Sequence, residues 1–505
     1  MSTTRSRRSP LPAVAATAAL LLPLAACSSS GDAAASGDAQ RLRVVMAFPP
    51  AQAMSPYGDD AVTLSRLAVV EGLTTLDGNG AARPALAASW SRTDATTWTF
   101  TLRDAVFQDG ETVDADAVVR SLTAAGKASP PPRVLSDSKL TATATDARTV
   151  RIVTADADPL LPQRLANPSL AILSAGAYGN GRANPVGHAT GPFTMTGLDG
   201  TAGATLERNP AYWGGEAKAP GVDVTFVADG TARANALRTK AVDIAEYVPI
   251  AQAPLLGDAY VHEFPSARTN GLSLNTRRGV FSDPAMRAAA REAVDPKALV
   301  DGVYEGRADT AQGLLGPGVP WAAAARTVPT GRAVAAGREE VAGTKEISLA
   351  TYTNRPELPE VATIVQQQLR ARGFTVKQVV RDYAQLEADA LAGKYDAFVQ
   401  ARNTLLDTAD PISYLASDFT CDGSFNISQL CDERVDAAVD EAASRAATDD
   451  RHRAEMAVEA AVLGSDALVP LVHERFVQGY DEARVEGVAL DPMERTLITA
   501  DTRVG

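Results

Sequence analysis

Apolar and polar positions alternate most cleanly at 96–106, "TTWTFTLRDAV", which predicts a half-buried strand. Upstream, "RLRVVMAFPP" at 41–50 is a short strand ended by prolines. The period then lengthens: "DADAVVRSLTAAG" reads as a helix, with Asp114 or Asp116 near its start and Gly126 near its end. "PPPRV" at 130–134 breaks that helix, and "ARTVRIVTAD" is a further strand. "DGNG" at 77–80 is a turn between apolar stretches. Asp283-Pro284 and Asp295-Pro296 each place a capping carboxylate before a first-turn proline.

The later half is the most regular. "EISLATYT" (346–353) is a strand, and 359–373, "PEVATIVQQQLRARG", is an amphipathic helix ending at Gly373. Val361, Ile364, Val365 and Leu369 share one of its faces. "FTVKQVV" is a strand, "YAQLEADALAG" a helix and "YDAFVQA" a strand. Such β-α-β-α-β alternation means parallel strands in an open sheet. Ligands bind such sheets just outside the carboxyl ends of the strands. Arg355, after the first of these strands, and the stretch Arg402 to Asp410, after the third, therefore become candidate binding positions.

Composition narrows the function. The 505 residues are enough for two or three domains with real cores. The formal charge of −13 argues against nucleic-acid binding, which needs a basic surface. At the N-terminus, Arg5, Arg7 and Arg8 precede a short apolar run, Leu11 to Ala26, interrupted by proline. This reads as a secretory signal rather than a membrane span. Leu24-Ala25-Ala26-Cys27 resembles the lipobox of bacterial lipoproteins, in which the cysteine carries the lipid; residues 27–40 then form a flexible tether. No later run of eighteen apolar residues exists to cross a bilayer.

Cys421 and Cys431, in "TCDGSFNISQLCDE", are the remaining cysteines. In an oxidising compartment they are read as a disulfide closing a small loop. The histidines His188, His262, His452 and His473 are scattered and read as surface or core residues. There is no HExxH, Cys/His cluster, Gly-x-Ser-x-Gly elbow, phosphate-binding loop or dinucleotide fingerprint. No metal, no cofactor and no catalysis are expected.

Several segments together carry a resemblance. Glu71-Gly72-Leu73, Pro84 to Trp90, Phe100 to Arg103 and Asp109-Gly110 follow one another in order. "GHATGPFTM" (187–195), the "RNPAYWGG" block and "NTRRGVFSDPAMRAAA" come later. This series resembles the peptide/nickel family of ABC-transporter solute-binding proteins, from about residue 42 onward. One departure is "LRTKAVDIAE", where that family usually has glycine before the aspartate; only a local turn change is expected. Tyr212 and Trp213 are read as core and turn residues.

The resemblance implies an α/β, two-lobed periplasmic-binding-protein fold (type II) with an extra subdomain in the first lobe. The expected layout is a signal peptide at 1–26, a tether at 27–40, lobe I at 41–267 with an insert at about 57–170, lobe II at 268–468, and a return to lobe I at 469–505. It implies a monomeric, extracytoplasmic, lipid-anchored protein that captures a small solute, a di- or oligopeptide, and hands it to ABC permease subunits. In peptide-binding members an aspartate three residues before an acidic-Pro step pairs with the ligand's amino group; "LLDTADPISYL" puts Asp407 there. In dipeptide-binding members an arginine placed like Arg355 takes the ligand's carboxylate. The nickel-binding branch has a histidine where Arg402 stands, so here an arginine could hold a carboxylate of a metal chelate or metallophore. An exported hydrolase and a solute-sensing module are the readings from other classes.

Overall fold

The computed structural model describes residues 40–505, apart from 136–137, 180–181, 354, 406 and 447. The segments read as a signal peptide and a tether, with Cys27 between them, lie outside the described residues up to residue 39.

Two blocks of parallel strands organise the chain. In the first, Leu42–Met46 lies between Gly221–Phe226 and Ile244–Ala245. In the second, Ile347–Tyr352 lies between Val376–Arg381 and Ala397–Asn403. The second block is the expected β-α-β-α-β unit, with crossover helices Glu357–Arg372 and Tyr383–Leu391. The first of these helices buries Leu358, Val361, Ala362, Val365 and Leu369, and Gly373 ends it at a φ of 122°.

The blocks belong to one continuous sheet because two long strands run between them. Val261–Leu274 and Leu468–Tyr480 have 14 and 13 residues and pair antiparallel. At about 3.3 Å per residue each reaches over roughly 40 Å, enough to cross from one lobe to the other. Their register slips between Pro265 and Thr269. Proline cannot donate to the ladder, and such an irregularity bends a strand. The expected lobe limits at 267/268 and 468/469 both fall on these two strands.

Each lobe has its own core. Leu42, Val44, Phe193, Leu206, Val222 and Ile244 pack in the first, and the chain returns to it late, through Val485, Leu497 and Ile498. Leu272, Leu349, Val361, Phe398 and Val469 pack in the second. A four-stranded antiparallel sheet, Ala87–Arg92, Thr97–Leu102, Thr149–Thr154 and Leu140–Asp146 in spatial order, forms the inserted subdomain. Helix Ala115–Lys127 covers it with Ala115, Val118, Leu122 and Ala125. Asp114 caps that helix by accepting the N–H of Ala117 at 2.8 Å. Asp283 and Asp295 cap their helices as their sequence contexts predict. Cys421 and Cys431 are disulfide-bonded, Cα atoms 4.3 Å apart.

The departure at "LRTKAVDIAE" has a physical cost. Lys240 is exposed and sits at a φ of 59°, in the left-handed region that favours glycine. That conformation costs a non-glycine residue about 1–2 kcal/mol. Glycine's greater freedom in the unfolded chain gives back about 0.5–1 kcal/mol. Lys240→Gly is therefore expected to stabilise the protein by about 0.5–1 kcal/mol. Urea unfolding measures it, and a lower midpoint in the variant would contradict the strain argument.

Candidate functional site

The residues just past the carboxyl ends of the parallel strands converge where the lobes meet. Glu246 and Tyr247 follow strand Ile244–Ala245 in the first lobe. Asn403 ends strand Ala397–Asn403 in the second, and Arg268 lies on the hinge strand at its irregularity. Glu494, from the C-terminal return, joins them. Arg268 Nε donates to Glu494 Oε1 at 2.7 Å and Asn403 Nδ2 to the same oxygen at 3.0 Å. The Tyr247 hydroxyl donates to Oε2 at 2.9 Å. Arg66, last residue of helix Asp60–Arg66, lies 3.4 Å from Oε2 and 2.8 Å from Glu246 Oε1, and also bonds the Tyr247 hydroxyl.

A buried carboxylate is tolerated only when paired and hydrogen-bonded. Burial by itself would raise the Glu494 carboxyl; Arg268, Arg66 and Arg355 outweigh it and hold the group below the usual carboxylate range. Burial drives the Tyr247 hydroxyl well above its ordinary value, so it stays a donor. Both Tyr247 and Glu494 adopt positive φ, 46° and 64°. Non-glycine residues held there mark places where surrounding contacts over-determine the backbone. A cavity of about 20 Å³, roughly one water molecule in size, lies beside this cluster.

The three binding positions singled out from sequence all lie near this junction, and each has a partner within the protein. Arg355 Nη1 is 3.1 Å from Glu474 Oε2 and 3.8 Å from Glu357. Burial would depress its basicity, but these carboxylates more than compensate. Arg402 makes a two-pronged pair with Asp418, at 2.7 and 2.6 Å, and lies 3.9 Å over the Phe425 ring. Asp407 meets Arg133 of the inserted subdomain at 3.0 Å, its side chain 14% exposed. Its carbonyl accepts from Asn167 Nδ2 at 3.0 Å and Arg495 Nη2 at 3.1 Å. The loop carrying Asp407 is thus held from lobe I at several points. Gly80, in the turn at 77–80, packs so closely on the Ala409 carbonyl that a Cβ there would come within 2.6 Å of it.

Sequence reading missed Arg66, Arg133, Arg268, Glu246 and Glu494, because no local pattern marks charges that meet only in the tertiary fold. It also saw no metal-ligand cluster, whereas Asp410, His452 and Glu455 come together in space. The spacing of His452 and Glu455 on one helix was the available signal. Tyr212 and Trp213 do pin a turn: they donate to Glu71 at 3.1 and 2.9 Å, beside a cavity of about 200 Å³ within the first lobe. None of the charges that join the lobes lines that larger cavity, and the junction is the better site candidate on chemical grounds.

Glu494→Gln keeps the shape but removes the charge that Arg66 and Arg268 share. Breaking a buried pair from one side typically costs about 3–5 kcal/mol, and the variant is expected to lose stability in that range at pH 7. The wild-type carboxyl is depressed in the folded state, so its contribution is complete above the unfolded carboxylate value and fades as pH falls through the folded one. The gap between wild type and variant should therefore narrow below about pH 4. Denaturant unfolding at several pH values measures it, and a pH-independent gap would exclude the ionic account.

Comparison with known proteins places this architecture. The family model for bacterial extracellular solute-binding proteins, family 5, matches residues 81–426. The nickel-binding protein NikA of Staphylococcus aureus is 26% identical over 335 residues, 64% of this chain and 67% of its own. The glutathione-binding protein GsiB of Salmonella paratyphi A is 28% identical over 357 residues, covering 66% and 69%. In structure, Staphylococcus aureus NikA in complex with Ni(L-His)2 aligns with a TM-score of 0.77 at 21% identity, over 92% of this chain and all of that one. A dipeptide-binding protein from Pseudoalteromonas in complex with Met-Leu aligns with a TM-score of 0.78 at 18% identity, over 92% of this chain and all of that one. These neighbours share the two-lobed type II binding-protein fold. The motifs, the hinged two-lobe fold and the family match agree, and the chain belongs to family 5 of the bacterial extracellular solute-binding proteins.

Proposed function

We propose that this protein captures a di- or oligopeptide between its two lobes outside the cytoplasm and delivers it to the permease subunits of an ABC importer. The observation that carries the peptide reading is the Asp407–Arg133 pair. Asp407 stands on a lobe II loop at the carboxyl edge of the sheet, and the cation it meets comes from lobe I. A ligand ammonium presented in the cleft would find the same carboxylate. Contacts with both lobes favour the closed arrangement, so binding drives hinge closure by differential affinity. The closed form docks on the permease as a monomer, and ATP hydrolysis elsewhere drives release. No bond is broken, and a solute carried through purification should be recovered intact by mass spectrometry.

A metal chelate is the second reading, supported by the nickel-binding relative and by the Ni(L-His)2 complex among the structural neighbours. Arg402 would be its contact, although Asp418 already neutralises that guanidinium. The anchoring of the chain at Cys27 by lipid belongs to the same proposal, since capture beside a permease benefits from a membrane tether. Among the described residues no helix is long and apolar enough to cross a membrane.

Calorimetry tests the ligand. With a peptide that binds wild type, Asp407→Ala leaves the ligand ammonium desolvated and unpaired. The expected loss is about 2–5 kcal/mol, or roughly 30- to several-thousand-fold in affinity; a surface pair would lose only about 0–1 kcal/mol. The N-acetylated peptide should bind wild type more weakly and the variant little worse than the free peptide does. Equal binding of both peptides by wild type would remove the amine anchor, and saturable binding of Ni(L-His)2 would then favour the chelate. For the anchor, Cys27→Ala should move the protein from the membrane to the soluble fraction. Unchanged membrane retention would argue against lipidation.

A further inference from the structure

Asp410, His452 and Glu455 reach one point from two elements. Asp410 ends the loop that carries Asp407 and precedes helix Ile412–Phe419. His452 and Glu455 stand three residues apart on helix Thr448–Gly464, and residues so spaced share a helix face. One donor atom from each lies within 4.8 Å of the other two.

The site is built, and its two acidic groups share a single guanidinium. Glu455 is 0% exposed, and neither of its carboxylate oxygens has a hydrogen-bond partner among the described residues. Asp410 is buried as well; its Oδ2 accepts from Arg451 Nε at 2.8 Å and its Oδ1 from the Ile412 N–H at 3.2 Å. Arg451 Nε is 3.8 Å from Glu455, beyond hydrogen-bond reach. Two buried carboxyl groups thus share one guanidinium, and no N–H among the described residues donates to either oxygen of Glu455, which leaves the pair open to a cation or a proton. His452 lies flat on Trp321, ring centroids 3.6 Å apart and planes 3° from parallel. The stack holds the imidazole plane, with a ring nitrogen within 4.8 Å of an oxygen of each carboxyl group.

We propose that Asp410, His452 and Glu455 bind a divalent transition-metal ion. An imidazole nitrogen with two carboxylate oxygens suits Zn²⁺, Co²⁺ or Ni²⁺, whereas Mg²⁺ and Ca²⁺ prefer oxygen alone. The ion would tie the Asp407-bearing loop to helix Thr448–Gly464, stiffening lobe II beside the junction without touching the captured solute. This site stands apart from the peptide reading and does not rest on it.

The test uses the full chain, freed of metal with a chelator and titrated with ZnCl2 or CoCl2 alone, without peptide or metallophore. One equivalent should bind, with a rise in melting temperature, because a ligand of the native state stabilises it. Bound Co²⁺ should also quench the fluorescence of Trp321, a change absent from Trp321→Phe. His452→Ala and Glu455→Gln should each weaken binding by at least about tenfold and abolish the metal-dependent rise in melting temperature. Glu455→Gln is close in shape to the native residue and carries the test should His452→Ala fail to fold. Absence of binding by wild type overturns the proposal; Asp410 and Glu455 then share a proton instead. Binding retained unchanged by both variants overturns it too, since the ion then sits elsewhere. Peptide calorimetry on the same samples reports separately on the capture function.

Discussion

The junction of the two lobes depends on one buried carboxylate. Glu494 receives Arg268 and Asn403 on one oxygen and Tyr247 and Arg66 on the other, so a residue of the C-terminal return holds together groups from both parallel blocks. Desolvation makes such a group costly when unpaired, and the same desolvation makes its pairing exacting. The positive φ values of Tyr247 and Glu494 are accepted because the ion pairs determine where those side chains must point. Val485, Leu497 and Ile498 pack in the first core, which brings Glu494 to the junction from that side.

The two long strands give that junction its leverage. Val261–Leu274 and Leu468–Tyr480 pair with one another while each also belongs to a neighbouring block. Their pairing is irregular near Pro265 to Thr269 and again between Asn270 and Gly271, and such irregularities bend a paired ribbon. Arg268 lies within the first irregularity and binds Glu494. The charge cluster is thus anchored on a strand that links the two blocks, at the point where its pairing is irregular.

The loop from Asn403 to Asp410 is where the second lobe addresses the first. Arg133, Asn167 and Arg495 reach it from outside lobe II, and Gly80 packs on Ala409. Apolar contact follows the polar one: Leu160, from the far side, packs with Leu405 and Ile412 in one cluster. Asp407 sits on this loop with its carboxylate on Arg133 of the inserted subdomain and its carbonyl on Asn167 and Arg495.

Much of the fold was legible in the sequence alone. The strands Thr97–Leu102 and Ile347–Tyr352, the first shorter than the expected 96–106, the helix with Val361, Val365 and Leu369 on one face, the Asp-Pro caps and the parallel order of the second block follow from local rules. Periodicity, capping and turn chemistry act over a few residues and so leave a readable local trace. Local order also pointed to Arg355 and the stretch from Arg402 to Asp410, since the end of a strand is visible in sequence, and the family resemblance picked Arg402 and Asp407 out of that stretch. Their partners were not visible: Glu474 is 119 residues from Arg355, and Arg66 meets Glu494 across 428. Asp410 is 41 residues from Arg451, and only the spacing of His452 and Glu455 on one helix, not their meeting with Asp410, is written locally. A charge carries no record in sequence of the counter-charge it will meet, because burial and desolvation, which make the pairing obligatory, exist only once the chain has folded.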